Sequence, residues 1–590
     1  MNKKASSVFL PSYGPKVFTS YSHTVLKSSL SPLLLFSLSL LLLVSPSFSQ
    51  QWGDYTFYST QNSTTAVLLD TNGTNVHTWS FSSSTKTGYS SYLLHGGTVL
   101  RTVARQGNTF QGGAMCGQVQ KVDWDGNVLW SYVCSTTTYC SHHDICPMPN
   151  GNVLLIVYEL KSSSEVTQAG CKWAHTMWPD MILEVQPSGA TGGNIVWEWH
   201  AWDHLVQDFD DSKDNYGVVA EHPELLDINY NNSQQTKDWM HVNGIDYNEV
   251  LDQIVISSHF LNELYVIDHS TTTEEAAGHT GGNSGNGGDI LYRWGNPAAY
   301  DASGTNIFHV VHDAHWIQPG HARAGALVGF NNNGVSNNQS AVDMFMPPYD
   351  GYNYQYTPGS AYLPSSYNWR HACNGHTNSE GGLQNLPNGN ILVCITQAGF
   401  IYEVDSNNTM LWSKNLGGMG SSNARRYTKC FVEGTLIEAP TVSQFGESLV
   451  SSEGVYYQWY LNGAAISGAT DQSFAPLRSG SYQVSITDAG GCNSELSDTF
   501  DYQFIGIGEQ ENNSNISVFP VPSTGIIRFT DGMVPENYNV FRFFELSGRL
   551  ILTCEPGTVV DISDFENGLY FLVAEGVQGA DFTARIIIIK

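Results

Sequence analysis

The sequence predicts an all-β protein, a six-bladed β-propeller followed by two small β-sandwich domains. Three observations carry that expectation. Only 13% of the 590 residues are charged, while 12% are aromatic and 57 are glycine, a profile of many strands and turns. A short strand ending in an aromatic pair recurs through the middle of the chain. Apolar strands alternate there with Asn-Gly turns, whose central residues tolerate positive φ.

At 590 residues the chain exceeds one hydrophobic core, and four segments are expected. Residues 1–50 read as a signal-peptide region. Lys3, Lys4, Lys16 and Lys27 precede the apolar run Pro32–Val44, and small residues follow it, the layout of a secretory signal. The run is too short and serine-interrupted for a membrane span, and no transmembrane segment is expected elsewhere. Twenty-five basic against 54 acidic residues give a net charge of −29, which excludes nucleic acid and anionic membranes as favoured partners. An exported chain with ten cysteines can form disulfides. The cluster Cys116, Cys134, Cys140, Cys146 and Cys171, and the looser group Cys373, Cys394 and Cys430, match no zinc ribbon. They are expected in loop disulfides.

Residues 51–434 carry the repeat. Its copies are Val76–Trp79, Val128–Tyr132, Ile195–Trp199, Ile290–Trp294 and Met410–Trp412, with a weaker copy at Tyr352–Tyr356. Pro-Asn-Gly-Asn followed by an apolar strand occurs twice, at 149–157 and 387–395. Irregularly spaced four-strand units of this kind read as propeller blades; a double β-sandwich is the alternative. The first unit starts mid-blade near Tyr55, and strand material around Arg426–Phe431 lets the termini close the ring within one blade.

Residues 435–506 contain Tyr457-Gln-Trp-Tyr-Leu-Asn-Gly463 and Gly480-Ser-Tyr-Gln-Val-Ser-Ile-Thr-Asp488, which resemble an immunoglobulin-like module. Residues 514–590 place Val518-Phe-Pro-Val-Pro-Ser-Thr-Gly525 before Leu546-Ser-Gly-Arg549, Val560-Asp-Ile-Ser563, Asn567–Leu572 and a basic-capped strand ending at Lys590. That order resembles the C-terminal sorting domain of the type IX (Por) secretion system of Bacteroidetes, with Val521-Pro522 where the usual motif has Asn-Pro. The resemblance implies the type IX machinery as a partner, and a chain secreted or attached to the outer cell surface.

Chemistry concentrates in the histidines. His143, His241 and His312 each follow an outer aromatic strand and begin the next short strand. In a propeller such positions line the channel mouth on one face. The motifs Trp239-x-His241-x-Asn243, Ile254-Val-Ile-Ser-Ser258, His143-Asp with Pro149-Asn-Gly-Asn152, His312-Asp-Ala, and Gly381–Asn390 occur in that arrangement. Together they resemble the bacterial aryl-sulfate sulfotransferases from residue 51 to about 432. The resemblance implies His312 as the sulfurylated nucleophile, His143 and His241 as its catalytic partners, and Asn243 as a substrate-binding amide. The family has arginine directly after the Ser-Ser pair, where this chain has His259.

An arginine fork is always charged and binds sulfate through two donors. Histidine carries charge only at lower pH, which predicts activity rising as pH falls toward about 6.5; Arg293 or Arg370 is the alternative cation. The expected reaction moves a sulfuryl group from an aryl sulfate to a phenol through a sulfohistidine. It needs no nucleotide sulfate and no cofactor, and the lysine-free Gly278–Gly288 stretch reads as a loop. Two rival functions are a binding propeller for a glycan or aromatic ligand and a metal site at His312 and His315. The second is disfavoured because i and i+3 point to opposite faces of a strand; no metal is expected.

Overall fold

The computed structural model describes residues 51–503, apart from 111, 337, 419, 447, 467, 468, 477 and 478. In the tail it describes 518–519, 526–529, 538–545, 550–557, 559–563, 565, 568–576 and 582–588. The expected signal segment and the motif Leu546–Arg549 lie outside the described residues. No helix among the described residues is long and apolar enough to cross a membrane.

Between Trp52 and Gly434 the chain forms six antiparallel four-stranded sheets. Their first strands are Thr85–Leu94, Tyr139–Pro147, Val242–Asn248, Val311–Trp316 and Gly382–Asn385, with Ala424–Tyr427 serving the sixth. The last of these pairs with Tyr55–Ser59, setting Tyr427 opposite Tyr55. One sheet is therefore built from both ends of the segment. Each first strand contacts the next, and the series returns through Tyr55–Ser59 to Thr85–Leu94.

The core lies between the sheets. Phe57, Leu68 and Trp79 pack against Leu93, Val99 and Val122 of the following sheet, and Leu100, Val119 and Trp130 against Ile145, Leu155 and Leu183 of the next. Similar clusters fill the remaining gaps. The aromatic repeat has a physical cause here. Trp79, Trp130, Trp199 and Trp294 sit on outer strands and are buried, and each indole Nε1–H donates to a backbone carbonyl further along the chain. The acceptors are Asp123, Gly192, Gly288 and Pro364 at 2.6–3.1 Å. An indole supplies a large apolar body plus a donor that needs a partner when buried, so each one both fills an interface and stitches it.

Two expectations are corrected. The weak copy Tyr352–Tyr356 is no outer strand; Asn353–Tyr354 pairs only with Tyr349–Asp350. The outer strand of that sheet is Trp369–Ala372, paired with Gln339–Phe345. Aromatic density misled because the loop 349–367 supplies tyrosines to the neighbouring interface, where Tyr354 and Tyr362 are buried. Of the clustered cysteines, only Cys430 is in a disulfide: Cys116, Cys134, Cys140, Cys146, Cys171, Cys373 and Cys394 are free and buried, behaving as small apolar groups. The disulfide present joins Cys430 to Cys492.

Beyond Gly434, Tyr456–Leu461 and Gly480–Thr487 pair within a four-stranded sheet that faces a three-stranded one across Leu449, Trp459, Tyr482 and Val484. In the tail, Tyr538–Glu545, Leu550–Cys554, Gly568–Gly576 and Phe582–Ile588 form another four-stranded sheet over Phe541, Phe543, Leu572 and Ile586.

Candidate active site

Four first strands are interrupted at the same place. The ladder register breaks between Thr87 and Ser91, Ser141 and Ile145, Val242 and Gly244, and His312 and His315. A bulge leaves residues unpaired and re-aims their side chains. The residues in or beside these breaks line one cavity: Tyr89 and Ser90, His143 and Asp144, Asn243, and His312 with Asp313. Glu380 and Gly381 precede the fifth first strand, Ser422 and Asn423 the sixth, and they complete the wall. All six sheets contribute. The cavity holds about 20 Å³, room for roughly one water.

The backbone is held in unusual conformations there. His143 (φ 48°), His241 (53°), Asp313 (55°), Glu380 (58°) and the β-branched Val310 (66°) are left-handed, a state non-glycine residues hold only when the surroundings enforce it. Gly113 permits the close approach of His241, since a Cβ there would lie 2.7 Å from its Cε1.

The imidazoles form a row. Ring centroids are 4.5 Å apart for His143 and His241, 5.1 Å for His241 and His259, and 5.2 Å for His259 and His312, all edge to face. His312 can be assigned atom by atom. Asn332 Nδ2 donates to the carbonyls of Thr377 and Glu380, so its Oδ1 accepts from His312 Nδ1–H at 2.7 Å. Nε2 therefore keeps its lone pair, which accepts the Glu380 backbone N–H at 3.0 Å. Both nitrogens are engaged, and a reaction at Nε2 must first displace that N–H.

His143 is backed by groups outside the expected set. Its Nδ1 lies 2.8 Å from His142 Nδ1, and His142 Nε2 lies 2.8 Å from buried Asp180. Burial holds both His142 and His143 well below the usual imidazole range and Asp180 well above the carboxylate range. The His142–Asp180 approach is close without hydrogen-bond geometry. The two neutral imidazoles share one hydrogen between their Nδ1 atoms, and when His142 supplies it His143 keeps a hydrogen on Nε2 as a donor. His241 Nδ1 faces the Asp238 carboxylate at 2.5 Å, beside the Tyr158 hydroxyl at 3.2 Å. Asn243 donates to the Val311 carbonyl and accepts from Ser257 Oγ, leaving its amide one further hydrogen.

His259 corrects the pH expectation. Burial, reinforced by His241, lowers it to about 3, so its ring is neutral at any working pH and supplies no cation. Its buried Nδ1 has no hydrogen-bond partner. The alternatives fail too: Arg293 is locked to Glu263 and Arg370 to Asp343. A cation that interacts with the cavity wall is Arg425, next to Ala424 on the closing strand and behind the wall carboxyls Asp144 and Asp313. Burial would lower it, but Tyr92, Asp313, Tyr427 and Asp144 together raise it. Burial pushes Asp144 up to about 6 and Asp313 up to about 7, with Arg425 opposing in both cases. Asp144 and Asp313 sit in the His-Asp strings already singled out, whereas Arg425 carries no motif and meets them only where the last strand closes the sheet begun at Tyr55–Ser59. His315 turns to Asn385 Nδ2 and the Asp313 carbonyl instead of joining His312 at a metal.

The arylsulfotransferase (ASST) family model matches residues 36–362, more than half the chain. The chain belongs to the arylsulfotransferase family. The match takes in His143, His241, Asn243, His259 and His312 and stops before Glu380 and Arg425. No curated protein matches. Matches among solved structures include a protein of unknown function from Bacteroides caccae, at 12% identity and TM-score 0.35, covering 63% of this chain and 98% of that one. Another is the periplasmic gluconolactonase of Pseudomonas aeruginosa, at 9% and 0.31, covering 76% and 96%. A third is a catalytically inactive virginiamycin B lyase from Staphylococcus aureus with quinupristin, at 10% and 0.30, covering 69% and 94%.

Proposed function

We propose that the six sheets are the blades of a β-propeller, and that the cavity at their first strands transfers a sulfuryl group from an aryl sulfate to a phenol. The observation that carries this reading is the convergence of all six first strands on one cavity beside four contiguous imidazoles, in a member of the arylsulfotransferase family.

His312 is the nucleophile. Its Nδ1–H is fixed on Asn332, which leaves the Nε2 lone pair to attack sulfur. The N–S bond forms as the S–O(aryl) bond breaks, and the phenolate leaves with the electron pair. The Glu380 N–H, freed from Nε2, turns to a sulfuryl oxygen, and His143 Nε2–H and the Asn243 amide supply further donors. His241, doubly protonated and paired with the Asp238 carboxylate, gives its Nε2 proton to the phenolate, becomes neutral, and later takes the proton of the acceptor phenol back onto Nε2. That phenol attacks sulfur, the N–S bond breaks, and His312 regains its lone pair. Arg425, behind the wall carboxyls Asp144 and Asp313, supplies the fixed positive charge that His259 does not. The wall must open for an ester to enter, and the Glu380–Gly381 segment is the part that moves.

Turnover of a chromogenic aryl sulfate with a phenol tests this. His312→Ala should abolish it, and His143→Ala should cost about 100-fold as a lost transition-state donor. Full activity in His312→Ala would sink the assignment. A second reading, a binding propeller without catalysis, is favoured by the acidic cavity wall and by neutral His259. It would be chosen if no donor turns over while an aromatic ligand binds.

The immunoglobulin-like module and the type IX sorting tail are part of the same proposal, supported by the motifs at 457–488 and 518–590. Export to the cell surface is tested by fractionating cells that express the chain with and without residues 514–590.

A further inference from the structure

A second cluster lies apart from the imidazole row. The short helix Thr273–Ala276 is followed by the glycine-rich segment Gly278–Gly288, which returns to Asp289. There His204, His279 and Asp289 bring one possible ligand atom each to within 4.8 Å of one another.

The hydrogen bonds of His204 make the arrangement informative. Its Nε2 is 2.9 Å from the Ala276 carbonyl, which only accepts, so Nε2 carries the hydrogen. In a neutral ring Nδ1 then presents a lone pair, and it points at Asp289 Oδ1 from 2.9 Å. His279 Nδ1 approaches the same oxygen at 2.7 Å. A lone pair facing a carboxylate oxygen repels it unless a cation lies between them. The ring cannot turn away: His204 is fully buried and stacked on Trp199, whose Nε1–H ties down the Gly288 carbonyl. A Cβ on Gly288 would collide with the Ala276 carbonyl and His204 Nε2, so the glycine lets the loop close over the ring.

We propose that His204 Nδ1, His279 Nδ1 and an Asp289 oxygen bind one zinc ion that pins the 278–289 loop. Two imidazoles and a carboxylate suit Zn²⁺ and not the hard cations Ca²⁺ or Mg²⁺. The Ala276 carbonyl is the outer partner that fixes the ligating tautomer, as such sites require. His279 is 61% exposed, so the fourth position opens to water.

The test uses the full chain, stripped with chelator and titrated with Zn²⁺ by calorimetry, then with Co²⁺ by visible absorption. We expect one equivalent per chain, a tetrahedral cobalt spectrum, and a rise in melting temperature on zinc addition. Asp289→Asn keeps the shape and should weaken binding on the order of 100-fold. The exposed His279→Ala serves as a second variant should Asp289→Asn fail to fold, and should weaken binding at least about tenfold. A chain that binds no stoichiometric zinc would overturn the proposal, and the cation between His204 and Asp289 would then be a proton. Zinc binding unchanged in both variants would overturn it equally, by placing the metal on other histidines.

Discussion

At the scale of single residues, charge decides what the cavity can do. The ring of His259 is held neutral, while Asp144 and Asp313 change charge near pH 6 and pH 7. Both carboxyls are uncharged below those values and ionise as pH rises through them. Each ionisation adds a negative charge beside an anionic donor ester. Turnover should therefore fall as pH rises through about 6 to 7, and Asp313→Asn should flatten that fall; a rate independent of pH from 5 to 8 would contradict it. His259→Arg introduces a fixed charge and a two-donor fork into the row. A charge-assisted bond contributes about 1.5–3 kcal/mol, so kcat/KM on aryl sulfates should rise about tenfold or more at every pH in steady-state assays. The five motif residues could be read from sequence because each sits in a distinctive local string. His142, Asp180, Asn332 and Arg425 could not. Their roles come from atoms that meet across the fold, and a common His, Asp, Asn or Arg carries no sign of that.

At the scale of the element, the bulge and the outer tryptophan are the two working parts. The bulges turn Tyr89, His143, Asn243 and Asp313 out of ladder register and toward one cavity. A period-two reading of a strand cannot anticipate this, because one extra residue reverses which face a side chain takes. The tryptophans were legible, since an aromatic pair closing a strand is a repeating string. Where the string lay in the loop around Tyr352 the reading failed, because burial in an interface and membership of a strand leave the same aromatic signature. Trp79 is 1% exposed, packs edge to face on Phe57, and donates to the Asp123 carbonyl. Trp79→Ala should lower stability by about 3–5 kcal/mol through cavity formation. Trp79→Phe keeps a ring and loses the hydrogen bond, and should cost about 1–2 kcal/mol. Denaturant unfolding that found the two variants equal would show that the indole donor contributes nothing.

At the scale of the whole molecule, closure joins chemistry to fold. The strand Ala424–Tyr427 is the innermost of a sheet begun more than 360 residues earlier at Tyr55–Ser59, and it delivers Asn423 to the cavity wall and Arg425 behind it. The sequence indicated closure within one blade from strand material left over at each end. It could not indicate that the closing strand brings the cation, because that depends on where the last strand lands against Thr85–Leu94. The central claim is that this assembled cavity makes His312 a nucleophile and not only a binding group. The direct measurement is mass analysis of the intact protein and its peptides after incubation with an aryl sulfate and no acceptor. The account predicts one added sulfuryl group, located on His312, discharged by a phenol and absent from His312→Ala. A sulfuryl group found on another residue, or turnover without any adduct on His312, would contradict it.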